Sequence, residues 1–227
     1  MGKLKHDIGI LKQQPLFRGL TEEEIRTMLE QTGARQLSKE AGSYILRAGD
    51  HTDSMGFVLS GSVLIIQEDV WGHRNILSKL PPAGVFAEIF ASIPGSVLNV
   101  SVVAETDSEI LFLNVKRLLS QNSAGNPCYD RMIRNLVTVL AQKTLAFNEK
   151  ITHISRRTTR EKLLSYLSAE AIRQGSLSFD ITFNRQQLAD YLCVERAAMS
   201  VELSRLQKEN LLHYQKNHFE LQEISGL

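Results

Sequence analysis

The chain has 227 residues, of which 43% are hydrophobic and 22% charged, with a formal net charge of +1. That length can bury a core for one large or two modest domains, no apolar run is long enough for a transmembrane helix, and near-neutral charge neither proposes nor excludes a nucleic-acid partner. Two cysteines, Cys128 and Cys193, are too few for a disulfide framework, a cysteine-rich zinc site or a four-cysteine iron–sulfur cluster.

The opening MGKLKHDIGILKQQ has basic residues but no apolar leader core, and His6 stands where a myristoylation signal needs Ser or Thr; the expected location is the cytoplasm, with no membrane partner. Residues 15–31 open with a turn, and Thr21 three residues ahead of Glu24 forms a capping box that starts an amphipathic helix. From about 35 to 115, short β-rich runs (SYILRA, GFVLSGSVLIIQ, NILSKL, NVSVVAE) alternate with Gly, Pro and Asp turns, the texture of a compact antiparallel barrel or roll. Between 129 and 154, Ile133, Val137, Leu140, Thr144, Phe147, Ile151 and Ile154 recur at alternating steps of four and three. This is a long helix with a heptad seam. Such a stripe can pack on its own roll, but its regularity on a helix linking two domains points to a parallel homodimer. A basic cluster follows, with Arg156, Arg157, Arg160 and Lys162 together; each, taken singly, reads as a solvated helix start. Thr158 and Glu161 form a second capping box, and Gly175 ends that helix. SLSFDITFN reads as a short strand and turn, and LLHYQKNHFELQEI as a hairpin with Asn217 able to take the left-handed conformation.

Between them lies DYLCVERAAMSVELSRL, two helices with Cys193 at the turn. A steep crossing needs a small residue at the close approach, here Ala189, and apolar residues around it, here Leu188, Leu192, Val194, Met199, Leu203 and Leu206. Some other helical hairpin would meet that demand too, but the hairpin that follows favours a winged helix-turn-helix. In that motif the first turns of the second helix reach base edges, which assigns Glu195, Arg196, Ala197, Ser200 and Val201 to double-stranded DNA. Arg196 can donate a bidentate pair to guanine, worth about 1 to 3 kcal/mol of discrimination. Ser200 suits a base or a phosphate, and Ala197 and Val201 offer only apolar contact. Arg185 and Gln186 at the start of the first helix are placed to hold phosphates. Glu195 and Glu202 oppose phosphate unless they accept from cytosine or pair with an arginine. If Cys193 takes the positive φ that such turns favour, the strain is about 1 to 2 kcal/mol, tolerable for a domain braced by leucines. A redox role for this thiol has no supporting neighbour in the sequence.

The order of these parts resembles the Crp/Fnr superfamily of bacterial transcription regulators over nearly the whole chain. The carriers are PLFRGLT, GDHTDSMGFVLSGSV with Gly49, Asp53 and Gly61 at turn positions, GVFAEIFA, and NRQQLADYLCVERAAMSVELSRLQKENLL. The resemblance implies an α+β chain. Its parts would be an N-terminal β-roll sensor of the double-stranded β-helix or jelly-roll type (1–128), a long dimerisation helix (129–154) and a C-terminal winged helix-turn-helix (155–227). In cyclic-AMP-binding members a Gly-Glu pair starts a short helix over the cyclic phosphate, and an arginine about ten residues later pairs with its charge. Here the pair is Ala87-Glu88, followed by Ile89, and the arginine region GSVLNVSVV offers Leu98 and Asn99. Burying a cyclic phosphate without a counter-cation forfeits its strongest contact, so cyclic AMP is not expected. The retained Glu88 leaves room for another ligand, or for a pocket that is only structural. His51 and His73 are formal haem ligands but read as solvated turn residues, and no two roll histidines have metal-site spacing. No cofactor is expected, and the effector is unidentified. The sequence contains no catalytic motif. The expected function is an effector-responsive, homodimeric regulator on a pseudo-palindromic operator. RNA polymerase is a further partner that the resemblance implies, without a readable contact surface. The alternative is a ligand-binding module whose C-terminal domain makes protein contacts.

Overall fold

The computed structural model describes residues 4–121 and 127–222; residues 1–3, 122–126 and 223–227, which the domain boundaries above include, lie outside the described residues. The chain forms two compact units, one of residues up to His73 and from Leu77 to Thr144, the other of Arg74–Ile76 and residues from Leu145 on.

The first unit begins with α1 (Leu4–Lys12), a 3-10 turn (Pro15–Phe17) and α2 (Glu22–Gln31). Both arms of the Thr21–Glu24 capping box are formed at the start of α2. The roll follows: β1 (Arg35–Lys39), β2 (Tyr44–Leu46), β3 (Ser54–Ser60), β4 (Val63–Glu68), β5 (Arg74–Leu80), β6 (Val85–Phe86), α3 (Glu88–Ser92), β7 (Ser101–Ala104) and β8 (Ser108–Asn114). Its two sheets run β1-β8-β3-β6 and β2-β7-β4-β5, with β8 antiparallel to β1 and β3, and β7 antiparallel to β2 and β4. Ile110 and Phe112 of β8 join Val58, Val63 and Val102 in one core, while Leu111 and Leu113 join Phe57, Leu59 and the α1 and α2 side chains Leu11, Ile25 and Met28 in another. Strand β8 is thus buried on both faces, and β1 is a largely exposed polar strand. That explains why the alternation rule finds neither of them. Gly61 turns β3 into β4 at φ +79°, and a Cβ there would overlap the Asp107 carbonyl and Ser108; no other residue fits.

After α4 (Val115–Gln121) comes α5, a 28-residue helix from Pro127 to Ile154; the division between the units falls inside it, after Thr144. The second unit continues with α6 (Thr159–Gln174), β9 (Ser178–Asp180), α7 (Arg185–Leu192), α8 (Arg196–Lys208), β10 (Leu212–Gln215) and β11 (His218–Leu221), the strands forming an antiparallel sheet in the order β10-β11-β9. The second capping box and the left-handed Gly175 bound α6 as the sequence reading expects. The hairpin tip differs from expectation. Lys216, at φ +53°, takes the left-handed place rather than Asn217. Asn217 is instead tied to the segment after β9, its amide donating to the Ile181 carbonyl at 3.1 Å and its own carbonyl accepting from the Ile181 N–H at 2.9 Å.

Candidate nucleic-acid interface

The reading surface starts with the turn between α7 and α8. Asn184 caps α7 through a reciprocal box with Gln187, and Cys193 ends it at φ +52°, ψ +56°, the strained conformation expected of it. Lys162 of α6 steadies this turn by donating to the Leu192 and Cys193 carbonyls, both at 3.3 Å, where the end of a helix favours a cation. Leu188, Ala189, Leu192, Met199, Leu203 and Leu206 are all fully buried and close the crossing as expected, while Val194 in the turn is only half-buried.

What stays outside is one face of α8. Arg196 and Ala197 are exposed, Val201 is 53% exposed and Ser200 half-buried, its hydroxyl bonded back to the Arg196 carbonyl. Ser204 and Arg205, one turn further on than the first turns that the motif assigns to bases, are exposed on the same face. Glu195 is the N-cap without a side-chain cap bond. Glu202 is neutralised by Arg160 at 3.2 Å and Arg205 at 3.5 Å, and Arg160 also makes a two-pronged contact with Glu209. Arg160 and Lys162 therefore brace the domain, leaving Arg156 and Arg157 as the exposed cations of the basic cluster.

Arg185 is placed differently from expectation. Its guanidinium lies 4.9 Å from the Tyr214 ring centre and 5.6 Å from that of Phe219, and Nη2 donates to the Lys216 carbonyl at 2.9 Å. Burial pulls its pKa down. It fastens the hairpin to the start of α7 rather than standing free for phosphate. Gln186 is exposed and donates to Asp190 at 2.7 Å.

In the roll, the suspected effector positions part company. Ala87 (8% exposed), Glu88 (1%) and Leu98 (2%) are packed inside, whereas Ile89 is 40% exposed and Asn99 is also exposed. Ala87 caps the five-residue α3 at φ +60°. The Glu88 carboxylate meets Lys143 of α5, whose Nζ lies 2.8 Å from Oε2 and 2.5 Å from the Val85 carbonyl. His51 Nδ1 is engaged by the Ser96 carbonyl at 3.0 Å and His73 Nδ1 by Asp69 at 2.8 Å, and no cluster of potential metal ligands occurs among the described residues.

Two family models match the chain: the cyclic nucleotide-binding domain over residues 36–121 and the Crp-like helix-turn-helix domain over residues 161–227. The chain is a Crp/Fnr-type regulator. Among its relatives, the transcriptional activator protein FnrL of Cereibacter sphaeroides is 23% identical, covering 77% of this chain and 71% of its own length. The cyclic AMP receptor protein of Thermus thermophilus is 25% identical, covering 96% of each chain. In fold, the c-di-GMP-responsive global regulator CLP of Xanthomonas campestris matches 89% of this chain and all of its own with a TM-score of 0.71, at 19% identity.

On this Crp/Fnr frame, α5 carries two apolar stripes with different fates. Cys128, Tyr129, Met132 and Leu136 pack on the roll, where burial raises the pKa of the Cys128 thiol, and Val139 is also buried. The heptad seam is a separate stripe. Val137 (61%), Phe147 (39%) and Ile151 (57%) are exposed, as is Thr144; Ile133 is half-buried, and Leu140 leans on the roll core. Packing on the roll of the same chain thus takes in Leu140 of the seam but leaves Val137, Phe147 and Ile151 exposed. Further along, Lys150 is 4% exposed, with Nζ 4.6 Å from the Tyr191 ring centre and donating to the Ile76 carbonyl at 2.5 Å; burial lowers its pKa to about 8. The regulator's described helices include none long and apolar enough to cross a membrane.

Proposed function

We propose that this regulator works in the cytoplasm as a homodimer joined along the α5 seam, placing two copies of α8 in successive major grooves of a pseudo-palindromic operator. The observation that carries the reading is the α8 face. A helix whose other side is fully buried leaves Arg196, Ala197, Val201, Ser204 and Arg205 uncovered, a set able to donate to guanine, contact a thymine methyl and neutralise phosphate. Arg196 is the base reader, and Arg185 acts on DNA at one remove by holding the wing. A small-molecule effector at the roll shifts an existing equilibrium of α5 and the Arg156 turn. The reading assigns no catalytic activity and no metal; RNA polymerase is the downstream partner.

Selection of duplexes from a random pool by the purified protein tests this reading. Two symmetric half-sites should emerge about 34 Å apart, one DNA turn. Arg196→Ala should lose about 1 to 3 kcal/mol of discrimination at one symmetric base position, while Arg185→Ala should weaken binding to all sequences alike. Failure to enrich any sequence, with no salt-sensitive binding, would favour a C-terminal domain devoted to protein contacts.

A further inference from the structure

The sensor acid already has an occupant. Glu88 is 1% exposed at the start of α3, and its carboxylate is met by an ammonium, although the stretch GSVLNVSVV around Leu98 and Asn99 holds no cation. The cation arrives from 55 residues downstream: Lys143 Nζ donates to Glu88 Oε2 at 2.8 Å and to the Val85 carbonyl at 2.5 Å, with the lysine side chain 22% exposed and the glutamate side chain 2%. Around this pair two of the other candidate contact positions are filled, while Ile89 and Asn99 stay exposed. Ala87 packs with Phe86, Val58 and Val102, and Leu98 is buried with its backbone held between Gly49 and Asp50. A buried carboxylate requires a charge partner, and the chain supplies one from the very helix that leads to the DNA-binding domain.

We infer that Lys143 is a built-in ligand of the sensor pocket: its ammonium holds Glu88, and with it α5, in the DNA-binding register when no small molecule is bound, so that an effector acts by displacing it. The inference rests on the reading that α5 relays the state of the roll to α8. It also fixes the class of molecule that competes at this site, a small primary ammonium able to replace Lys143 at Glu88 and Val85.

Chemical rescue tests it on the full-length protein, refolded from denaturant to strip any carried-over ligand, with a duplex selected by the wild type. Wild type should bind without an additive. Lys143→Ala should bind at least tenfold more weakly and regain that affinity with n-butylammonium chloride, but not with sodium chloride at equal ionic strength. Should Lys143→Ala fold poorly, its melting temperature should rise with butylammonium while that of wild type stays fixed. The inference is overturned if refolded wild type binds only with an added effector, if Lys143→Ala binds like wild type, or if butylammonium moves neither affinity nor melting temperature. Absence of any duplex bound by wild type would instead remove the regulator reading itself.

Discussion

The seam of α5 gives the most direct quantitative test. Val137 and Ile151 are 61% and 57% exposed in the single chain, so neither supports the roll or the helix-turn-helix. Fully burying an aliphatic side chain contributes about 1.5 to 3 kcal/mol, so covering roughly three-fifths of each is worth about 1.2 kcal/mol per residue. Twofold symmetry repeats both residues, giving about 5 kcal/mol per dimer. At about 1.4 kcal/mol per tenfold, Val137→Lys with Ile151→Lys should raise the dimer Kd by about three powers of ten, before any repulsion among the four new charges. Sedimentation equilibrium reads this directly, and circular dichroism should show an unchanged helix content. The operator affinity should fall with the dimer. If the double variant dimerises within tenfold of wild type, the seam is not the interface and the two stripes of α5 need another explanation.

Two further outcomes follow from the second unit. Because burial lowers Lys150 from 10.5 to about 8, the folded state carries a penalty for its charge below pH 8 that is relieved as pH rises towards 10.5. The stability of wild type relative to Lys150→Met should therefore climb by about 3 kcal/mol between those limits in paired urea titrations; a flat difference would mean that the ammonium is not desolvated. At Cys193, glycine removes the left-handed strain while forfeiting little packing, since the side chain is exposed. Cys193→Gly should thus raise stability by about 0.5 to 1 kcal/mol and leave operator affinity within twofold, whereas a loss of stability would show that the thiol contributes more than it strains.

Much of this chain was legible locally. The Thr21–Glu24 and Thr158–Glu161 boxes, Gly175 and the leucines of the helix crossing each act through neighbours three or four residues away, and all appear where their spacing places them. The Asn184–Gln187 box has the same signature at the same spacing. Strand β8 was not legible, because a strand buried on both faces has no alternation to detect, and at the hairpin tip the preference of Asn for the left-handed region lost to the hydrogen bonds tying Asn217 to Ile181.

The sequence by itself determined the order of the parts, the helix-turn-helix with its strained cysteine, and the absence of the cation that a cyclic phosphate needs near Leu98. Only the tertiary structure decided which charges are free. It took Arg185 to the wing, paired Arg160 with Glu202 and Glu209, and brought Lys143 to Glu88. The physical reason is range. Caps and stripes are set by helix and strand geometry within a few residues, whereas an ion pair between positions 88 and 143 exists only once the long helix has packed against the roll.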